Sequence, residues 1–471
     1  MNIIEKIAKI KLSYWALAFI LVAPLFFSVL LGNSVHASIE RRSIGEPLGM
    51  CHAGYSTSSE EYAIMDDLGV EWMRVDFSWS RIEPAEGEFD FEYWDAYMDA
   101  AVTHDKKVMA ILDYETPWLP NQTGRYIRRE NVPYFLNYVN ETVRRYKDNV
   151  AAFEIWNEPN MYDFWVGSRE DFLYLFNHTA ELIHSIDPEI VIVGGAVAGN
   201  DPGFIEAMFE YGCMKYVDAI SFHPYSTNVQ QIRMDILELR QLLAKYNYQG
   251  ELWITEIGNP TEGTYGHTVT EDELSERVVK TLAIAMAEGI NVIIWYTLFD
   301  ASDAAKEIDP MNTELYFGLL YHNQTWKKGA YGFQIFGQHA QNSMYSPDLI
   351  QIRTPLMANT LETHLFVKPT GERLLVLWST LGTGFSDSIN LHIEFSNSTV
   401  VSEININTGE HTTLADTALR LDTQPRVFLY SADESEAHVS IQIETPFLLW
   451  GYIIGLPILV GVIVLKYKRI N

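Results

Sequence analysis

Cysteine is almost missing from this chain of 471 residues: Cys51 and Cys213 are its only two. That excludes a disulfide framework and a cysteine-rich zinc site, and leaves room for one bridge at most. Basic side chains are scarce as well. Lysine and arginine number 33 against 62 aspartates and glutamates, a formal net charge of -29, which excludes a nucleic-acid phosphate backbone as partner. The excess acid reads instead as a well-solvated surface. Among 13 histidines there is no His-x-His pair and no His-Glu-x-x-His, which argues against a metal-dependent hydrolase; no metal and no cofactor is expected. Internal repeats are absent too. What the chain does have is apolar substance. With 48% hydrophobic and 13% aromatic residues, wholesale disorder is excluded. There is material for one domain of about 250 to 300 residues with a smaller companion.

Two long apolar runs stand at the ends. Residues 12–31 (LSYWALAFILVAPLFFSVLL) follow Lys6, Lys9 and Lys11 and precede the small-residue pattern Val35-His36-Ala37. Together they predict an export signal over residues 1–37, cut after Ala37 or kept as a signal anchor. Residues 446–465 (PFLLWGYIIGLPILVGVIVL) carry no charge and match the thickness of a bilayer core, which predicts a transmembrane helix in contact with membrane lipid. The basic tail 466–471, with Lys466, Lys468 and Arg469, then faces the cytoplasm. Residues 38–445 are expected outside it, on the cell membrane. Five Asn-x-Thr sequons, at Asn121, Asn140, Asn177, Asn323 and Asn397, are compatible with that placement.

Between residues 47 and 337 short apolar runs alternate with longer segments of helical period, the mark of parallel strands joined by crossover helices. Strands are predicted at 47–51, 72–76, 107–112, 152–156, 190–194, 219–223, 252–255 and 292–296, eight in all. Helices are predicted at 91–104, 132–146, 169–186 and 272–288, the last opened by a Thr270/Glu273 capping box. An open doubly wound sheet shows the same alternation, but the turn after the first strand, 51–59, has no G-x-G-x-x-G. The fold class read from this pattern is α/β, a (β/α)8 TIM barrel over residues 38–347. From residue 348 the pattern becomes strand-only, at 374–378, 389–395, 400–406, 417–421 and 427–430, which predicts a small C-terminal β-sandwich over 348–440 with a hairpin turn at Asn407-Thr408-Gly409-Glu410. The stretch 431–444 reads as an acidic tether.

Barrel chemistry sits at the C-terminal ends of strands. Two predicted strands end in glutamate there: the fourth in Glu154-Ile155-Trp156-Asn157-Glu158, the seventh in Thr255-Glu256. Either acid alone has an ordinary reading as a helix cap or an ion-pair partner. Together they supply what cleavage of a glycosidic bond requires: one carboxyl group to protonate the leaving oxygen, another to attack or stabilise the sugar carbon. Arg74, inside the second strand, is the candidate cation for the ionised partner, with Asp76 or Glu71 as its alternative partners. Trp79, Trp118 and Trp165 are candidates for stacking on sugar rings, against core packing as the alternative. His52 after the first strand and Tyr114 after the third are placed to reach the pocket.

These residues match a family pattern. Trp156-Asn157-Glu158-Pro159 resembles the strand-four signature of clan A glycoside hydrolases. Arg74, the segment Trp79-Ser80-Arg81-Ile82-Glu83-Pro84, Ser221-Phe222-His223-Pro224-Tyr225, Trp295 and Phe317-Gly318-Leu319 resemble further clan positions. The resemblance implies that Glu158 is the general acid/base and Glu256 the nucleophile of a retaining enzyme. It implies that Asn157 donates to the hydroxyl beside the reacting carbon, that His223 and Tyr225 orient the glutamates, and that Trp295 forms a platform under the sugar. Within the clan the chain is most similar to family 39, the β-xylosidases and α-iduronidases with their endo-acting members. It departs from that pattern in carrying Thr255-Glu256-Ile257-Gly258 where the xylosidases usually have Thr-Glu-Trp, a segment nearer family 5. The expected function is membrane-anchored, extracytoplasmic hydrolysis of a poly- or oligosaccharide. A non-catalytic glycan-binding protein and a transglycosidase acting on cell-surface polysaccharide are the alternatives.

Overall fold

The computed structural model describes residues 41–51, 57–121, 123–226, 228–264, 266–353, 360–381, 388–432 and 437–444. Eight parallel strands close into a barrel in strict chain order: Leu48–Cys51, Trp72–Asp76, Lys107–Leu112, Val150–Ile155, Ile192–Ala198, Ala219–His223, Glu251–Ile257 and Ile293–Trp295. All eight predicted strands are present, each within a few residues of the expected bounds. Parity along them sorts two apolar layers. Met109, Ala152, Val193, Ala219, Trp253 and Ile294 fill the barrel, while alternate positions such as Val75, Ala110, Phe153 and Ile254 pack outward against the helices. Gly49 on the first strand is required by this filling, since a Cβ there would stand 2.4 Å from the Ile294 Cδ1 and 2.6 Å from the Trp72 Cβ.

The helices follow their sequence signals. Thr270 and Glu273 form the reciprocal capping box that opens Glu271–Ala287. Ser168 caps Arg169–Ile186, which stops at Asp187 before Pro188. Cys51 and Cys213 are both buried and unbridged.

Beyond the barrel lies a mostly antiparallel unit of two sheets, one of seven strands and one of four. Leu365, Leu375, Leu377 and Phe428 of the first share a buried cluster with Leu391, Ile393, Leu421 and Ile441 of the second. The expected hairpin turn is present: Ile404 pairs with His411, and Gly409 supplies a left-handed φ of 70°. Two features of the sequence reading need correction. The larger sheet recruits Arg42–Ile44 and Ser343–Tyr345, which stand on the barrel side of residue 348. Part of the stretch read as a tether is structural, because Val439–Ile443 runs between Ile350–Ile352 and Ile389–Phe395. The acids around it set the reading, whereas its own alternating pattern, buried at Val439, Ile441 and Ile443, decides the structure.

The two units are joined by polar contacts as well as apolar ones. The Ser275 hydroxyl donates to the Ile406 carbonyl at 2.6 Å. Arg233 holds Glu288 of the barrel and Glu362 of the larger sheet at once. Burial opposes the charge on Glu362, but His364 and Arg233 outweigh it and hold the carboxyl well below the usual range. Among the described residues no helix is long and apolar enough to cross a membrane. The apolar segments 12–31 and 446–465, with the signal, the membrane helix and the basic tail read from them, lie outside the described residues.

Candidate active site

The C-terminal ends of the barrel strands open onto a cavity of about 600 Å³. Its floor is built around Arg74, which takes an inward position with Trp72 and Asp76 while Met73 and Val75 turn to the helices. The guanidinium is buried and all three of its nitrogens are engaged. Nε donates to Glu154 Oε2 at 2.7 Å, Nη1 to Glu256 Oε2 at 2.9 Å, and Nη2 to Asn157 Oδ1 at 2.8 Å. Burial alone would lower its pKa; the carboxylates of Glu154 and Glu256 prevail and hold it well above the ordinary value. Arg74 is thus a permanent cation, and losing it would leave Glu154, which has no exposure at all, uncompensated. Breaking a buried pair in this way costs about 3 to 5 kcal/mol.

The segment after the fourth strand carries backbone strain. Trp156 (φ 69°) and Glu158 (φ 46°) both adopt the left-handed region, which side chains of this size seldom enter. Specific contacts over-determine them. The Trp156 indole donates to the Phe164 carbonyl at 3.2 Å and packs edge-on against Tyr114 and Trp165. The Glu158 amide donates to the Ala196 carbonyl at 2.9 Å. Ala196 is itself left-handed, at a break in register between Gly194 and Val197 on the fifth strand. Its amide donates to Ser221 Oγ, which in turn donates to Glu154 Oε1 at 2.8 Å. One polar chain therefore runs from Arg74 through Glu154 and Ser221 to the backbone that carries Glu158.

Glu256 reaches the cavity by another irregularity. Strand parity continues from Trp253 to Thr255, both inward, and would turn Glu256 toward the helices. The pairing with the eighth strand slips, however: Ile254 faces Ile293, yet Ile257 faces Trp295, so three residues span two. This bulge turns Glu256 into the pocket. There its Oε1 accepts from the Tyr225 hydroxyl at 2.5 Å and its Oε2 from Arg74. Burial and then the Glu256 carboxylate push the Tyr225 pKa well up, so the hydroxyl remains a donor. His223, fully buried, hydrogen-bonds Glu158 Oε1 through Nδ1 at 2.9 Å and Thr255 Oγ1 through Nε2 at 3.1 Å. Donor atoms of Glu158, His223 and Glu256 all lie within 4.8 Å of one another. Three such atoms are enough to hold a metal ion, but here each already has a hydrogen-bonding partner from the protein. The arrangement is suited to moving a proton and forming a bond at one carbon.

Glu158, Glu256, Arg74, Asn157 and Tyr225 all line the cavity, with His223 directly behind them. Tyr114 reaches it as expected. His52 lies outside the described residues. Two expectations are corrected. Trp295 has no exposure and belongs with Ile293 to the layer facing the helices, whereas Ile294 and Tyr296 face the barrel interior, and it is Tyr296 that lines the cavity. A shift of one residue along a strand exchanges the two faces. Trp79 is likewise core: its indole donates to Glu83 Oε2 at 2.6 Å, and its ring stacks on Tyr138 and meets Trp118 edge-on. The aromatic walls are instead Tyr114, Phe164, Tyr225, Tyr296 and Phe317. Asp76 and Glu314, also on the wall, were missed. The parity of Arg74 and Asp76 on one strand was the available signal for the first.

A family model described as "Glycosyl hydrolases family 39" matches residues 130–253, and one described as "Beta-galactosidase" matches residues 52–120. The resemblance to family 39 read from the motifs is thereby borne out. The aryl-phospho-beta-D-glucosidase BglA of Bacillus subtilis (strain 168) is 27% identical over 208 residues, covering 40% of this chain and 41% of that protein. A beta-xylosidase of Geobacillus stearothermophilus is 31% identical over 78 residues, 16% of each chain. The matched stretches thus span less than half the length of these curated relatives. A family 39 glycoside hydrolase from the gut symbiont Bacteroides cellulosilyticus WH2 superposes with a TM-score of 0.65 at 18% identity, covering 82% of this chain and 81% of that one. At that identity the likeness speaks for the fold.

Proposed function

We propose that the chain is a glycoside hydrolase that cleaves O-glycosidic bonds of an oligo- or polysaccharide with retention of configuration. One observation carries this reading: carboxylate oxygens of Glu158 and Glu256 approach within 4.8 Å across the cavity. An approach that close suits the about 5 to 5.5 Å between the carboxyl groups of retaining enzymes better than the about 6.5 to 9.5 Å of an inverting pair. In the first step Glu256 attacks the anomeric carbon while Glu158 gives its proton to the departing oxygen. In the second, Glu158 takes a proton from water, which attacks the same carbon and releases Glu256. Arg74 and Tyr225 each place a donor on Glu256, holding it ionised and aimed. His223 supports both protonation states of Glu158, since its Nδ1 can donate to the carboxylate or accept from the acid. Asn157, fixed by Arg74, presents its amide to the sugar. A pure glycan binder has no use for two acids at bonding range, which favours turnover over adhesion.

The test is covalent capture. A fluorinated glycoside with a good leaving group should form a stable glycosyl-enzyme, and mass spectrometry of the digest should find the label on the peptide containing Glu256. A label on Glu158, or none with any sugar while the substrate is turned over, would sink the assignment.

We also infer that the barrel acts outside the cytoplasm on a membrane tether. The support is in the sequence: the uncharged run 446–465 with Lys466, Lys468 and Arg469 after it, and the run 12–31 with lysines before it. The full chain should sediment with membranes, and a version ending at residue 444 should be released. Recovery of the full chain in the soluble fraction alongside the truncated one would refute the C-terminal anchor.

A further inference from the structure

A second acidic pair stands beside the first. Asp76 ends the second barrel strand on the cavity wall. It lies opposite Ile111 of the third, and Asp113, two residues further on and of the same inward parity, comes to its side. Asp113 has no exposure, and neither of its carboxyl oxygens receives a hydrogen bond from any described residue. What faces it is the Asp76 carboxyl group, with Arg74 and Glu154 beyond and the tyrosines Tyr114 and Tyr138 to the sides. The Tyr138 hydroxyl donates to the Phe77 carbonyl rather than to the Asp113 carboxyl group. A buried carboxylate without donors is costly, and two adjacent carboxylates cannot both be charged. Both conditions are met when Asp113 is a carboxylic acid and donates to Asp76. Burial first, and Asp76 second, hold the Asp113 carboxyl well above the usual range, in the same sense.

The described wall carries four carboxyl groups and, besides Arg74, one further basic group, the imidazole of His267. Asp76, Glu158, Glu256 and Glu314 line it, and Arg74 is its one arginine or lysine, already taken up by Glu154, Glu256 and Asn157. A sugar carboxylate or phosphate would find no unengaged guanidinium or ammonium there and only the exposed His267 imidazole against four carboxyl groups, whereas sugar hydroxyls are donors that suit such a wall. We propose that the pocket selects an uncharged sugar, and that Asp76, braced by a protonated Asp113, is the specificity-determining acceptor for its hydroxyls. This rests on the hydrolase reading above. Asp113 is a positioning residue, acting through Asp76.

The experiment uses the full chain in detergent and a neutral aryl glycoside that it cleaves, together with the uronide, the 6-phosphate and the monodeoxy analogues of the same sugar. The neutral parent should exceed both anionic forms by about 100-fold or more in kcat/KM. Loss of one hydroxyl should cost the wild type about 10- to 100-fold, and that same loss should cost Asp76→Asn only about twofold, because the charged acceptor is gone. Asp113→Asn, which keeps a neutral donor, should stay within about threefold of wild type, while Asp113→Ala should raise KM about tenfold or more. Preference for an anionic sugar, an Asp76→Asn profile as sensitive to every deoxy sugar as wild type, or a folded Asp113→Asn as damaged as Asp113→Ala would each overturn the proposal. Should the wild type cleave nothing, calorimetry with the corresponding free sugars makes the same comparison. Tighter binding of the neutral sugar without turnover sinks the hydrolase reading and leaves the selectivity standing; equal or tighter binding of the anionic ones sinks the selectivity.

Discussion

Glu256→Ala should lower turnover of an activated aryl glycoside by about 10⁴-fold or more, with a circular dichroism spectrum and melting temperature close to wild type. The size follows from what is lost. Glu256 is the group proposed to form the bond, so its removal takes away an interaction realised only in the transition state and leaves substrate binding nearly intact. KM should therefore change little while kcat collapses. The fold should survive because Glu256 is partly exposed at a bulge, whereas Arg74 keeps its fully buried partner Glu154. Truncation also empties the space beneath the anomeric carbon. Added azide should enter it, attack from the face Glu256 used, and give a glycosyl azide of inverted configuration at a rate well above that of the variant alone. A variant that retains wild-type turnover, or whose azide product keeps the substrate's configuration, would remove Glu256 from the reaction.

The barrel was legible because its signal is redundant. Eight apolar runs of the right length, spaced by helical periods with caps such as Ser168 and Thr270, specify alternating strands and helices several times over. The ends of strands four and seven were legible as places, since barrel chemistry gathers there. The way the two glutamates come to face each other was not. Glu256 depends on a bulge, and Glu158 on two left-handed residues and on the carbonyl of Ala196, itself in a break of the fifth strand. Such departures from regular pairing leave little trace in hydropathy, because they are held by long-range partners: Ser221 and Glu154 for Ala196, Arg74 and Tyr225 for Glu256. Local rules fail where strain is held for function.

The aromatic residues show the complementary failure. Trp79 and Trp295 were expected at the sugar because tryptophan suits sugar faces, but a large ring is also what fills the space between barrel and helices, and at these two positions packing prevails. At Trp295 residue type suggested a function that strand parity refuses. On the eighth strand, counting inward positions from Ile294 selects Tyr296. The small-sheet unit was only half legible for a related reason. Its short strands Arg42–Ile44, Ser343–Tyr345 and Ile350–Ile352 have three residues each, too few for alternation to register, and their partners lie far along the chain.

Glu158→Ala should produce a different defect from Glu256→Ala, and the difference distinguishes acid/base from nucleophile. Glu158 donates a proton in the first step and accepts one in the second, so its loss should be felt in proportion to the leaving group's need for that proton. For a dinitrophenyl glycoside, whose leaving oxygen departs as a stable anion, formation of the glycosyl-enzyme should proceed at near the wild-type rate. For an alkyl glycoside or a natural disaccharide it should fall by about 10² to 10⁴-fold. Water, deprived of its base, should then attack slowly, and the intermediate on Glu256 should accumulate to give a burst of phenolate equal to the enzyme present. His223 takes part in this contrast. With Glu158 gone its Nδ1 loses its partner at 2.9 Å and lies 3.9 Å from Glu256 Oε2. It has no exposure and does not line the cavity, so it is not placed to give the leaving oxygen a proton and should not restore the reaction. Glu158→Gln, which keeps the contact to His223 but carries no ionisable proton, should therefore behave as the alanine variant does. A uniform loss across leaving groups, with no burst, would mean that Glu158 only shapes the pocket.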